Sequence, residues 1–152
     1  MGTIADRLAV LGLQLPEPPQ PVGNYVAVTV HGNLAYVAGH GPVGSGPPIV
    51  GLLGSDLDVE DGYRAAKVTA LAILASLQQA LTDLDRVQSW LRVVGYIHSA
   101  PGFNRNAEVL DGFSDLIVDL WGEAGRHARS APGQGPSPFG VAVIIDAVVA
   151  ID

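Results

Sequence analysis

Arg126, His127 and Arg129 lie within four residues of one another, in the run Gly125-Arg126-His127-Ala128-Arg129-Ser130-Ala131. The 152-residue chain holds only eight Lys and Arg against fifteen Asp and Glu, a formal charge of -7, so composition alone does not explain the cluster. A small anion is its natural counterpart. In an extended chain His127 and Arg129 share one face, with Ala128 and Ser130 on the other. A guanidinium holds a carboxylate through two parallel hydrogen bonds, a geometry lysine cannot reproduce. Arg129 is therefore the candidate anchor for a small acid, with His127 and Arg126 as a solvated rim.

Three further residues can join it. Asp146 is the single carboxylate in the apolar run 141–151; partly buried, it would have a raised pKa. Tyr25 opens the first strand of the body, and His40, near a turn, can line the cleft. Each has a plainer alternative: Arg129 and Asp146 can be an ion pair across adjacent strands, and Tyr25 a packed strand aromatic. Ser130 has no evident base, which argues against nucleophilic catalysis. The four histidines lack metal-ligand spacing. Neither a metal nor a cofactor is expected.

These residues have to be positioned by a recognisable succession of elements. Residues 3–13 carry Ile4, Leu8 and Leu11 at helical spacing, as a short helix or frayed arm. Prolines crowd residues 15–22 into a stiff connector. Segments 24–30 and 34–39 read as a hairpin around His31-Gly32-Asn33. Residues 39–44 spell GxGxxG after a strand, but a proline interrupts the pattern and no helix follows, so it is not a dinucleotide site. Residues 44–48 form a surface loop able to gate a cleft, followed by a short strand at 49–53. Asp58 and Asp61 predict a cap on a helix over 59–81. A strand at 87–98 comes next, with Leu91, Val93 and Ile97 on one side and Trp90, Val94 and Tyr96 on the other. A second helix spans 104–121, Gly122 and Gly125 let the chain turn, and a last strand runs over 141–151.

Bulk properties narrow the function classes. One domain, with residues 1–22 as arm and connector and 23–152 as its body, fits the length. An acidic pI near 4.8 argues against nucleic acid, whose binding depends on Lys and Arg meeting phosphates. Without cysteine there is no disulfide framework, and no apolar run is long enough for a membrane span. A cytoplasmic protein is the expectation. Two helices can cover only one face of the sheet, yet two strands are apolar on both faces, so a homo-oligomer is expected to cover the other.

The element order, with Gly23-Asn24-Tyr25, Val37-Ala38-Gly39, His127-Ala128-Arg129-Ser130 and Ile145-Asp146-Ala147, resembles the Rid family, the reactive intermediate deaminases also called RidA/YjgF. The resemblance runs from about Gly23 to the carboxyl end. It implies an α+β, chorismate-mutase-like fold: a mixed sheet with two helices packed on one face and the other buried in a trimer, with sites between subunits. It implies hydrolysis of 2-enamine or 2-imine carboxylates to 2-oxo acids and ammonia. Arg129 falls on the family's carboxylate-binding arginine, Tyr25 on its site tyrosine and Asp146 on its late acidic residue, commonly glutamate, so the resemblance implies that Tyr25 closes the pocket and donates a hydrogen bond and that Asp146 orients or activates the water. Ala131 replaces a frequent cysteine, leaving only backbone groups to contact substrate, and Ala38 and His40 replace a serine and a glutamine. Gly112 aligns with an asparagine if no gap intervenes, and Pro132 departs from the usual extended run. These departures mark a divergent branch. The alternative is a non-catalytic trimer that binds a small carboxylate or a protein partner in the same cleft. The ribonuclease activity ascribed to some relatives comes third, because the chain is acidic and lacks a basic groove.

Overall fold

Two reciprocal caps start the first two helices. In the computed structural model, which describes residues 2–152, the Thr3 hydroxyl accepts from the Asp6 N–H and the Asp6 carboxylate accepts from the Thr3 N–H, opening α1 (Ile4–Val10). Ile4 and Leu8 enter the main core, and the Ile4 N–H donates to Asp85. The first helix is thus docked, not frayed. Asp58 and Asp61 repeat the exchange at α2 (Val59–Leu81), whose bounds agree with the apolar period.

Between them β1 (Val28–His31) and β2 (Leu34–His40) pair antiparallel as the expected hairpin, β1 beginning later than its apolar pattern does. The strand expected at 49–53 is absent as a ladder. Single bridges join Val50 to Val141 and Leu53 to Leu57 and Ser99, because Gly51 and Gly54 adopt positive φ and turn the chain before pairing extends. After α2 come β3 (Val87–His98), α3 (Asn106–Trp121), a 3-10 turn over 122–125, β4 (Ala128–Ser130), β5 (Gly133–Gln134) and β6 (Val143–Ile151). The sheet runs β1-β2-β6-β3-β4, with β5 also on β3; β4 and β5 lie parallel to β3 and the other pairs are antiparallel.

Helices α2 and α3 pack on one face. There β6 contributes Val143, Ile145, Ala147, Val149 and Ile151, all buried. The two helices approach so closely that a Cβ on Gly112 would lie 2.0 Å from the Tyr63 carbonyl oxygen. The expected two-faced reading of β3 is corrected by a bulge. Trp90 pairs with Val149 and Arg92 with Val148, so Leu91 is an extra residue and the alternation slips by one. Trp90 therefore joins Val93 and Ile97 in the core, edge-on to Phe113 and Trp121, while Leu91 is exposed.

The opposite face carries Tyr36, Val148 and Arg92 in one row, Asp146 beside Val94 in the next, and Ile144 beside Tyr96 in a third. These residues are half-buried or exposed, and no described helix lies across them.

Candidate functional site

The loop out of α3 aims the cationic run. Gly122 ends the helix at φ +61°, and Gly125 is buried where a Cβ would meet the Ile117 carbonyl oxygen at 2.6 Å. Parallel pairing of β4 with β3 then sets Arg129 opposite Val93, which faces the helices. Arg129 consequently reaches α3: Nη1 donates to Asp111 at 2.8 Å and to Ser114 Oγ at 3.0 Å, and Nη2 donates to the Ala107 carbonyl at 3.2 Å. Five N–H groups minus these three bonds leave Nε–H and one Nη2–H without a described partner. Asp111 and Ser114 fix the guanidinium and leave an edge.

His127 lies on the same side. Its Nδ1 is 2.7 Å from the Gly125 carbonyl and its Nε2 2.9 Å from Ser114 Oγ. Burial pushes its pKa down, the Gly125 carbonyl opposes that, and the Arg129 charge adds to the lowering. Arg126 pairs with Glu123 in solvent. At Ala131 only the backbone is polar, and its carbonyl accepts from Asn106 Nδ2 at 3.0 Å. Gly112, aligned above with an asparagine, has no room for any side chain. The asparagine of α3 that reaches this segment is Asn106, whose Oδ1 is buried without a hydrogen-bond partner.

The ion pair between Arg129 and Asp146 that the sequence left open does not form. Asp146 is opposite Val94, on the sheet face turned away from α2 and α3, while Arg129 is on the helix side. Burial raises the Asp146 pKa, and Arg92 nearby partly offsets the effect. Arg92, whose Nη2 donates to Ser130 Oγ at 2.8 Å, is the cation that sequence reasoning overlooked beside this carboxylate. Its signal was hidden by the bulge at Leu91, which decides the face Arg92 takes.

Tyr25 and His40 come together elsewhere, at the end of β2. They line a cavity of about 330 Å³ with Gly39, Val43, Phe139 and Ile144. His40 is buried and both ring nitrogens bond inward, Nδ1 to the Ala38 carbonyl at 2.7 Å and Nε2 to Ser76 Oγ at 2.8 Å. Burial lowers its pKa despite the Ala38 bond, so the ring is a neutral wall. A Cβ on Gly39 would come within 2.9 Å of Ile144, so glycine keeps this corner open. Residues 44–48 border a separate depression against Arg64 and Val68, away from Tyr25. Among the described residues no group of three metal-ligating side chains stands together, and no helix is long and apolar enough to cross a membrane.

A six-strand mixed sheet with helices on one face and an anchored arginine at its edge defines a chorismate-mutase-like α+β protein. A family model described as "YjgF/chorismate mutase-like, putative endoribonuclease" matches residues 5–144, and the chain belongs to that family. It is 39% identical over 153 residues to Protein TCP17 of Trypanosoma cruzi, covering 99% of this chain and 96% of TCP17. A Shewanella oneidensis protein given the same endoribonuclease description superposes with a TM-score of 0.95 at 30% identity, covering 99% of this chain and all of its own. Escherichia coli TdcF, solved with bound serine, shares the fold at a TM-score of 0.64 and 18% identity, over 91% and 99% of the two chains.

Proposed function

We propose that the protein hydrolyses small reactive enamine or imine carboxylates to 2-oxo acids and ammonia, in sites formed where the chains of a homotrimer meet. One observation carries this reading: Arg129 is braced by Asp111 and Ser114 while Nε–H and one Nη2–H remain for a ligand. Such an edge suits a carboxylate, and the serine bound to TdcF has one. Arg129 grips the substrate, with His127 and the Ala131 backbone around it. Tyr25 and His40, which lie far from Arg129 in chain topology, close the pocket from a neighbouring protomer. Asp146, which faces away from Arg129 in its own chain and shares the face of Ile144 in the Tyr25 cavity, orients the water from the neighbouring protomer. The enamine first tautomerises to the imine, water adds to the imine carbon, and ammonia leaves. A single chain separates Arg129 from the Tyr25 cavity, and this separation supports a site assembled from two chains.

The test is a coupled assay with freshly generated 2-aminoacrylate or iminopropionate. Ammonia release above the buffer rate, reduced at least about a hundredfold in Arg129→Ala, supports an enzyme; the figure corresponds to about 3 kcal/mol for a charged hydrogen-bond anchor. Saturable carboxylate binding without turnover selects the binding module instead. RNA cleavage that survives Arg129→Ala revives the endoribonuclease description, against a net charge of -7.

A further inference from the structure

We infer that Ser114 is a ligand-binding residue of the Arg129 site and that His127 decides where its hydroxyl proton points, so that a carboxylate is taken up together with one proton. The inference rests on the carboxylate reading above and adds a residue and a proton to it.

Each group in the cluster has only one role open to it. Arginine has no acceptor, so the Ser114 oxygen accepts from Arg129 Nη1 at 3.0 Å. The Gly125 carbonyl has no proton, so His127 Nδ1 carries the hydrogen across 2.7 Å. In the neutral ring Nε2 is then a bare acceptor, and the Ser114 proton lies on the 2.9 Å line towards it. The hydroxyl is occupied inside the protein. Protonation of Nε2 reverses that bond. The imidazolium donates to Ser114, whose two lone pairs now receive Nε2–H and Nη1–H, and the hydroxyl hydrogen is released. It becomes a further donor beside the Arg129 guanidinium, 3.0 Å from Nη1, and a carboxylate can accept from it as well as from the unpaired N–H groups of Arg129.

Burial and the Arg129 charge favour the neutral ring, against the Gly125 carbonyl. A bound carboxylate offsets that charge and gives the released hydroxyl an acceptor. Both changes favour the imidazolium, and linkage requires the proton to favour the carboxylate equally. Of the charged groups on the surrounding elements, Asp111 on α3 and Arg129 on β4 join the cluster and the Glu123–Arg126 pair on the turn is exposed, while α3 also carries Glu108, Asp115 and Asp119, and Arg92 lies on the neighbouring β3. Among the described residues no other imidazole stands here: His31 is on β1 at the far edge of the sheet, His40 is enclosed with Ser76 and His98 bonds the Gly51 carbonyl.

The experiment titrates pyruvate into the full chain by calorimetry at about pH 5.5 and about pH 8, and follows the His127 ring by NMR with and without ligand, on either side of the ordinary histidine value of about 6.5. Affinity is expected to rise several-fold at the lower pH, by no more than about tenfold per pH unit for one proton. The His127 midpoint is expected to move up on saturation. His127→Gln should flatten the pH dependence, and Ser114→Ala should weaken binding more at the lower pH than at the higher. Equal affinities at both pH values, an unmoved His127 midpoint, or a slope that persists in His127→Gln overturns the inference. If Arg129-dependent binding accompanies that result, the carboxylate reading stands alone; if pyruvate binds at neither pH, both fall.

Discussion

Asp146 shows how one side chain carries a cost and a use together. It is the carboxylate of an otherwise apolar strand, and burial raises its pKa more than Arg92 lowers it. The folded chain therefore binds its proton more tightly than the unfolded chain does. Stability on this account declines as pH rises from the ordinary aspartate value of about 3.9 through the raised folded value, and the penalty persists at neutral pH. Asp146→Asn is expected to leave the urea midpoint at pH 7 unchanged or higher, with less loss between acid and neutral pH. Deaminase turnover, if Asp146 orients the water, falls in the same variant. A lower midpoint accompanied by full activity would show the residue to be structural.

At the level of elements, the site depends on how α2 holds α3. The Asp58 cap and the Gly112 contact test this from two sides. Asp58→Ala removes one acceptor for the Asp61 N–H and is expected to cost about 1 kcal/mol in urea unfolding. Gly112→Ala places a methyl against the Tyr63 carbonyl, with backbone on both sides, and is expected to cost about 2 kcal/mol or more. Because Asp111 and Ser114 flank that position and brace Arg129, Gly112→Ala should also weaken carboxylate binding; Asp58→Ala, remote from the brace, should not. The period of α2 and its cap were legible in the sequence because both are local. The strand expected at 49–53 was not, since two glycines with positive φ redirect a segment whose apolar content is otherwise suitable.

On the scale of the whole molecule, the sheet face bearing Tyr36, Val148 and Tyr96 needs a cover that the described helices do not provide. If copies of the chain supply it, the solution mass is about three times 15.7 kDa. Val148 is between Tyr36 and Arg92 in the middle of this face, so Val148→Asp should lower the mass measured by light scattering towards one chain. Activity would fall with it if the site needs two protomers. A native protein that remains at one chain's mass at micromolar concentration sinks the trimer, along with the proposal that Tyr25 and Arg129 meet.

The sequence by itself determined the helices, the long strands, the shared side of His127 and Arg129, and the family to which the residues around them belong. Each of these rests on local periodicity, capping chemistry or a short run of neighbouring residues. Only the tertiary structure decided that Arg129 turns to Asp111 and Ser114, that Asp146 faces away beside Arg92, and that Gly112 has no room for a side chain while Asn106 reaches Ala131. These outcomes depend on a one-residue bulge, a parallel register and the approach of two helix backbones. All three are long-range facts, and a change of one residue in register exchanges the two faces of a sheet.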